Sequence, residues 1–199
     1  MSKRMSININ PDTVIQQFIA GAYEQIQCVE CELTFLTNVY MFDEGHVLLE
    51  KRSLGLEYYS GAIHSKGLTK VPNIQSIGIL DEDDNAVQAP SQEEIYSGDE
   101  TDLRFIYVME KLKHLNQDDR DYFDRCVKDL EWQSDEDRAK IIAGVTKRYN
   151  KELAQDIAKL YEYYKQYEDI LAWDLHGENL MQRIDSDEVV ILDPYTRKA

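Results

Sequence analysis

The stretch 172–195, AWDLHGENLMQRIDSDEVVILDPY, carries the pattern that decides the fold of this chain. Leu180 and Met181 form one short apolar run, and residues 189–192, VVIL, form a second. The polar residues 185–187, DSD, lie between them. Two apolar runs joined by a polar turn are typical of a β-hairpin. The sequence therefore predicts a polar loop followed by a hairpin.

Three side chains with oxygen atoms flank this hairpin. Asp174 precedes Asn179 by five residues, and Asp193 follows Asn179 by fourteen. A hairpin of this length folds Asp193 back beside Asn179, so two carboxylates and an amide are expected to converge on one site. Hard oxygen ligands of this kind suit Mg²⁺, which also binds phosphate oxygens of a substrate. The alternative is a polar loop and hairpin whose acids lie in solvent.

The string DLHGEN, which begins at Asp174, and the string VVILDP, which contains Asp193, resemble the catalytic loop and the metal-binding acid of the protein-kinase-like superfamily. Within it, the chain is most similar to the early serine/threonine protein kinases of podovirus-type bacteriophages. The resemblance implies that Asp174 is the catalytic base and that Asn179 and Asp193 bind magnesium. The family usually has His-Arg or His-Gly before the Asp, whereas Ala172 and Trp173 precede it here.

A β-strand is predicted nearer the amino terminus, at residues 46–51, HVLLEK. Because side chains alternate along a strand, Val47, Leu49 and Lys51 share one face. The resemblance implies that Lys51 pairs with the phosphates of ATP, and that Glu57, on a short helix after the strand, is the partner of Lys51. The alternative for Lys51 is an ordinary surface lysine.

The sequence departs from the family at the glycine-rich loop. Members place glycines before the second strand so that backbone N–H groups approach the phosphates. Counting back from Val39, these positions hold Glu32, Thr34 and Thr37. A carboxylate near phosphates repels them, so either the register of the strands differs or nucleotide binding is weak, altered or absent.

A further strand is predicted at 103–109, and the residues after it resemble the hinge of the family. This resemblance implies that the backbone near Glu110 and Leu112 meets the adenine edge of ATP. Together the patterns predict an α+β protein with a minimal two-lobed, protein-kinase-like fold. The division is a β-rich amino-terminal lobe with a leading helix at 1–112, and a truncated helical lobe with the catalytic loop and hairpin at 113–199.

Helix starts are marked by capping side chains. Asn10, followed by a proline, predicts the leading helix, and Asn116 predicts the first helix of the second half. Ser134 with an acid three residues later forms a capping box. Asn150 begins a long helix whose apolar spacing extends to Leu171 and leads into the catalytic loop.

The composition limits the classes of function. The chain has 199 residues, of which 43% are hydrophobic, and its net charge is −16. A chain of this charge is repelled by phosphates, which argues against direct nucleic-acid binding. No apolar run of 18 residues and no signal peptide is present in the sequence, so no membrane association is predicted. We expect a cytoplasmic protein, located in the host bacterial cytoplasm if it is of phage origin.

The cysteines do not form a disulfide framework. Cys28 and Cys31 form a single Cys-x-x-Cys, and Cys126 stands alone. An odd number of cysteines fits a reducing compartment. A zinc site at Cys28 and Cys31 would need two further ligands from scattered histidines.

The first functional hypothesis is an ATP- and magnesium-dependent phosphotransferase that acts on hydroxyl groups of host proteins. The second is a catalytically inactive, kinase-like acidic protein that binds and inhibits a host factor. A third is a regulator that holds ATP without transferring phosphate. The sequence ends six residues after Asp193, before the activation segment of the family, so the resemblance covers only part of that fold.

Overall fold

The structure, a computed structural model, describes residues 9–30, 36–52, 54–91 and 102–198. It combines helices with antiparallel sheets and is of the α+β class that the sequence predicts. The chain divides into two compact units, one of Met1–Ser53 with Asn73–Lys111, the other of Leu54–Pro72 with Leu112–Ala199. The sequence division at residue 112 assigned 54–72 to the first unit, whereas the contacts of this segment belong to the second.

The first unit contains one helix and one antiparallel sheet within the described residues. Helix α1 is Pro11–Ile19. The strands are β1 Gln25–Glu30, β2 Leu36–Met41, β3 His46–Lys51, β4 Ile74–Leu80, β5 Ala86–Val87 and β6 Arg104–Glu110. Their order in the sheet is β1-β2-β3-β6-β4-β5. Strand β6 therefore lies between β3 and β4, although it follows both in sequence.

Helix α1 covers one face of this sheet. Asn10 caps the helix by accepting from the backbone N–H of Asp12 at 3.1 Å, as predicted. Val14 of α1 packs in a core cluster with residues of β3, β4 and β6, namely Leu48, Ile77, Leu80, Ile106 and Val108. Because strand side chains alternate, Val47, Leu49 and Lys51 share the opposite face, which confirms that part of the strand prediction.

The second unit is mainly helical. Its helices are α2 Gly55–Lys66, α3 Gln117–Cys126, α4 Asp135–Arg148 and α5 Lys151–Tyr164, with 3-10 turns at Leu130–Trp132 and Gly177–Asn179. Its strands are β7 Leu112–His114, β8 Leu171–Trp173, β9 Leu180–Arg183, β10 Val189–Ile191 and β11 Tyr195–Arg197. They form a sheet of order β10-β9-β7 and a pair β11-β8.

The predicted caps of the second unit are confirmed. The side chains of Asn116, Ser134 and Asn150 each accept a hydrogen bond from the backbone N–H three residues later. The predicted end of the last helix is wrong, since α5 ends at Tyr164 and Leu171 begins β8. Helical spacing alone continued to Leu171, but pairing with β11 holds that residue in a strand.

None of the helices in the described parts of the chain has the length and apolar character needed to cross a lipid bilayer.

Candidate active site

Two antiparallel pairings bring the predicted site together within the second unit. In the first, β8 pairs with β11, with Trp173 opposite Tyr195. The backbone N–H of Asp174 donates to the carbonyl oxygen of Pro194 at 2.9 Å. Asp174 is therefore fixed beside the residue that follows Asp193.

The second pairing is the hairpin of β9 and β10, with Leu180 opposite Ile191. Its ladder continues one step further, because the backbone N–H of Leu192 donates to the carbonyl oxygen of Asn179 at 2.9 Å. The hairpin thus returns Asp193 beside Asn179, as the spacing predicts. Asp193 lies in the three-residue segment between the two pairings, which brings it close to both other residues.

The side chain of Asn179 is held by its amide nitrogen. Nδ2 donates to the carbonyl oxygen of Asp174 at 2.7 Å, and lies 3.3 Å from Asp174 Oδ2 and 3.1 Å from His176 Nε2. A carbonyl oxygen only accepts hydrogen bonds, so this contact fixes which end of the amide faces Asp174. The amide oxygen of Asn179 is then the end that faces away from Asp174, and an amide oxygen is a ligand that a hard cation accepts.

The side-chain oxygens of Asn179 and Asp193 fit a magnesium ion. The amide oxygen of Asn179 and the carboxylate of Asp193 are hard oxygen ligands, and Mg²⁺ usually takes one or two protein groups together with water and substrate phosphates. No group of three or more histidine, cysteine, aspartate and glutamate side chains able to hold a metal ion occurs in the described residues. A magnesium site of one amide and one carboxylate would need fewer protein ligands than such a group, because phosphate and water would supply the others.

His176 is a member of the site that the sequence left without a role. Its Nε2 lies 3.8 Å from Asp174 Oδ1 as well as in contact with Asn179. Its Nδ1 lies 3.3 Å from the backbone nitrogen of Glu178. A neutral imidazole accepts at one nitrogen only, so these two contacts exclude each other as hydrogen bonds, and the tautomer of His176 decides which one forms. The sequence feature that marks His176 as a site residue is its position two residues after Asp174.

Helix α3 packs against the loop of residues 174–179. The backbone N–H of Gly177 donates to Asp124 Oδ1 at 2.7 Å, and Arg120 Nη1 lies 3.6 Å from Glu178 Oε1. A Cβ on Gly177 would lie 2.5 Å from the carbonyl oxygen of Arg120. Only glycine fits this close approach of two backbones. No local spacing marks these contacts, since more than fifty residues separate the partners.

The segment 54–72 holds the strand that precedes Asp193. The hydroxyl of Tyr59 donates to the carbonyl oxygen of Ile191, and the backbone N–H of Ile191 donates to the carbonyl oxygen of Lys70 at 2.8 Å. Asp156 of α5 is 1% exposed, and its Oδ2 accepts from the backbone N–H groups of Thr69 and Lys70, both at 2.6 Å. A buried carboxylate thus anchors the loop that contacts β10.

Ion pairs join the same loop to the hairpin. Glu188 pairs with Lys70 and with Arg183, and Arg183 Nη2 donates to the carbonyl oxygen of Val71 at 2.8 Å. Burial opposes ionisation of Glu188, but the hydrogen bond from Lys70 and the nearby Arg183 outweigh it and lower the pKa of Glu188. Both sides of the hairpin are therefore fixed to the segment 54–72.

The residues expected to bind the nucleotide lie on different elements. Lys51 ends β3 in the first unit and is 9% exposed, so it is not an ordinary surface lysine. Glu57 lies in the first turn of α2 in the second unit, on a helix that the sequence predicts. Glu110 ends β6, where its Oε1 accepts from the backbone N–H of Asn73 at 2.8 Å. Leu112 begins β7 and pairs with Arg183.

Of the three positions at which the family has glycines, one lies within the described residues. Thr37 lies on β2 directly opposite Lys51 of β3. Glu32 and Thr34 lie outside the described residues, as does Cys31 of the Cys-x-x-Cys. Cys28 is part of β1, in register with Asn38.

A shallow depression of about 560 Å³ adjoins the loop within the second unit. It is lined by α3 and the residues after it, together with the 3-10 turn of the loop, namely Asp124, Arg125, Lys128, Asp129, His176 and Glu178. Charges of both signs border it. His176 connects this depression to Asp174 and Asn179.

No protein-family model, curated protein or solved structure matches this chain. Its function is therefore inferred from its own residues and geometry.

Proposed function

We propose that this protein is an ATP- and magnesium-dependent phosphotransferase with a minimal protein-kinase-like fold, similar to the serine/threonine kinases of bacteriophages. The observation that carries the proposal is the double pairing that gathers Asp174, Asn179 and Asp193. Pairing of β8 with β11 and of β9 with β10 encloses Asp193 between the other two.

The order of the remaining elements supports the same proposal. In protein kinases a lysine on the third strand pairs with a glutamate on the helix that follows, and both serve the nucleotide. Lys51 ends β3, and Glu57 lies on α2, the next helix along the chain. The proposed roles of Lys51 and Glu57 in phosphate binding rest on this order.

In the proposed mechanism Asp174 orients the acceptor hydroxyl and accepts its proton as the phosphoryl group is transferred. Asn179 and Asp193 would hold magnesium, which would supply positive charge against the charge that develops on the phosphate oxygens. The contacts of Asn179 Nδ2 with Asp174 couple the base to the metal ligand, so one residue orients both. Such catalysis depends on positioning and electrostatics, for which a few fixed groups suffice.

The proposed acceptor is a serine or threonine side chain of a host protein. The depression beside His176 and Glu178 is open enough to receive a chain segment next to Asp174. The basic Arg125 and Lys128 and the acids of the lining would give such a segment charged groups of both signs to contact. The backbone of Glu110 and Leu112 is the proposed contact for adenine.

The proposal is tested by thermal unfolding with ATP and Mg²⁺, together with transfer of labelled phosphate from ATP to bacterial proteins. A ligand at a hundred times its dissociation constant stabilises by about 2.7 kcal/mol. We expect a magnesium-dependent rise in melting temperature that Asp193→Asn abolishes. Asp174→Asn is expected to keep the rise and to lose phosphate transfer.

Asp185→Asn is the matched control, because Asp185 is an exposed acid of the same hairpin. It removes the same charge as Asp193→Asn and is expected to keep both the rise and the transfer. An equal rise in wild type and Asp193→Asn would contradict the proposed metal site. Phosphate transfer by Asp174→Asn at the wild-type rate would contradict the proposed base.

A second candidate function is a catalytically inactive, kinase-like protein that binds and inhibits a host factor. The net charge of −16 and the presence of Thr37 opposite Lys51, where the family approaches phosphates with glycine, favour it. If the protein has this second function, neither ATP nor magnesium is expected to change its melting temperature. Inhibition of the host factor would then survive Asp174→Asn and weaken when surface acids are neutralised.

A further inference from the structure

A cavity of about 230 Å³ lies in the first unit, where α1 ends. Helix α1 ends at Ile19, and Gly21 has a φ of 69°, a left-handed conformation that glycine adopts readily, before β1 begins at Gln25. The face of the sheet that α1 covers continues beyond this end. Its lining residues are Phe18, Ile19, Gly21, Tyr23, Tyr40, Glu50, Asp84 and Arg104.

A buried carboxylate lines this cavity. Glu50 of β3 is 6% exposed, whereas Leu48, two residues earlier on the same face, belongs to the apolar core. One oxygen, Oε2, accepts from Asn38 Nδ2 at 2.7 Å and from the hydroxyl of Tyr40 at 2.9 Å. The other, Oε1, lies 3.5 Å from Arg104 Nη1, a longer contact than a good hydrogen bond. Oε1 therefore keeps capacity to accept.

Arg104 links Glu50 to a second acid. Its Nη2 pairs with Asp84 Oδ1 and donates to the carbonyl oxygen of Asp81 at 2.9 Å. Because the guanidinium joins both carboxylates, Glu50 and Asp84 lie on the same side of the cavity. Two carboxylates and one guanidinium leave a net charge of −1 on the lining. A cation is the ligand that neutralises this charge.

Aromatic side chains also line the cavity. The rings of Phe18 and Tyr40 pack edge to face with centroids 5.3 Å apart, and Tyr23 also lines the cavity. Aromatic faces attract cations and accept the alkyl part of an amine. Carboxylates and aromatic rings are the two elements of a cavity for an alkylammonium ion.

We propose that this cavity binds a primary ammonium group, either of a free alkylamine or of a lysine side chain from another protein. A primary ammonium has three donors around a compact charge, so it can bond to more than one carboxylate of the lining at once. A guanidinium is a flat fork that suits two oxygens of the same carboxylate. At Glu50 one oxygen is already engaged by two donors. The inference is independent of the proposed phosphotransfer.

The test is an NMR titration of the full chain with n-butylammonium chloride at constant ionic strength. We expect saturable shifts of the backbone amide signals of Gly21, Tyr23 and Arg104. Neutral n-butanol, which has the same alkyl chain, is expected to bind at least about tenfold more weakly, since it lacks the charge. Equal shifts with butanol and butylammonium would overturn the proposal.

Asp84→Asn is the variant that tests the carboxylates. Asp84 has a φ of 65°, a conformation that asparagine adopts readily, so the backbone is expected to be retained. Its affinity for butylammonium should fall about tenfold or more. Glu82→Gln, in the same loop and outside the lining, is the matched control and should bind like wild type. Unchanged affinity in Asp84→Asn would overturn the proposal.

Capped lysine-containing peptides distinguish the two sources of the ammonium group. Tighter binding of such a peptide than of butylammonium would assign the cavity to a lysine of a protein partner. Equal or weaker binding would assign it to a free amine. A peptide with norleucine in place of lysine should not bind in either case, and its binding at equal affinity would exclude an ammonium site.

Discussion

The hydroxyl of Tyr59 donates a hydrogen bond to the carbonyl oxygen of Ile191, across 132 positions of the chain. Tyr59 is completely buried on α2, and Ile191 precedes Asp193 by two residues. This bond, together with the one from the Ile191 N–H to Lys70, fixes the strand that carries the proposed metal ligand. Helix α2 therefore positions a residue that it does not contain.

Replacing Tyr59 with phenylalanine is expected to destabilise the fold by about 1–3 kcal/mol, because the carbonyl oxygen of Ile191 loses its buried donor. Urea unfolding measures this loss. The magnesium-dependent effect of ATP on stability should weaken as well. Tyr161→Phe is the control, since no hydrogen bond of the Tyr161 hydroxyl is found within the described residues. Equal losses in the two variants would show that the bond to Ile191 contributes nothing specific.

Asp156→Asn is expected to cost about 1–3 kcal/mol of unfolding free energy, because a charged acceptor of several buried hydrogen bonds becomes neutral. The bonds at risk are those from Thr69 and Lys70 to Asp156 Oδ2. Chemical denaturation measures the loss. Glu162→Gln, an exposed acid of the same helix, should change stability by less than about 0.5 kcal/mol. If both variants unfold at the same urea concentration as wild type, Asp156 does not anchor the loop.

Gly177→Ala is expected to separate the proposed catalytic loop, residues 174–179, from α3. The added Cβ would meet backbone atoms of Arg120 at 2.5–2.9 Å, which cannot move as a flexible side chain can. Overpacking of this kind costs about 1–3 kcal/mol. Phosphate transfer should fall together with the melting temperature. Gly45→Ala is the control, because its nearest neighbour beyond the adjacent residues would be 3.8 Å from the added atom. A fully stable Gly177→Ala would contradict the observed packing.

Asp119 is expected to make the stability of the second unit depend on pH. Burial opposes its ionisation, but hydrogen bonds from Tyr149, Arg148 and Asn116 outweigh burial and lower the pKa of Asp119 below 3.8. A carboxyl group with a lowered folded-state pKa stabilises fully above its unfolded-state pKa. This stabilisation is lost as the pH falls through the lowered value.

The measurement is urea unfolding of wild type and Asp119→Asn at several pH values. We expect the variant to be less stable by about 1–3 kcal/mol at pH 7 and 5, with the difference shrinking below about pH 4. Asp118→Asn, at the exposed neighbour, should change stability by less than about 1 kcal/mol. A difference between wild type and Asp119→Asn that stays constant down to pH 3 would contradict the lowered pKa.

Local signals predicted much of the fold because their partners lie within a few residues. The caps at Asn10, Asn116, Ser134 and Asn150 each bind backbone N–H groups two or three positions ahead, so the sequence marks them directly. The hairpin of β9 and β10 follows from alternating apolar runs and a polar turn for the same reason. Its length alone returned Asp193 to Asn179.

The extent of the last helix could not be predicted in this way. The apolar spacing of α5 continues past Tyr164 to Leu171, and nothing local distinguishes the two ends. Pairing of β8 with β11 determines that Leu171 is in a strand and not in the helix, since Leu171 lies opposite Arg197. Periodicity reports which side of an element is apolar, whereas pairing between distant strands depends on the whole chain.

The sequence by itself determined the α+β class, the helix starts and the identities of Asp174, Asn179 and Asp193 as a group. The tertiary structure decided what holds that group in place: Gly177 against Arg120, Tyr59 on Ile191, and Asp156 under the loop at Thr69. It also decided that Glu50 is buried beside a cavity. These contacts join residues far apart in sequence, and they form only when packing brings the elements together, so no local pattern encodes them.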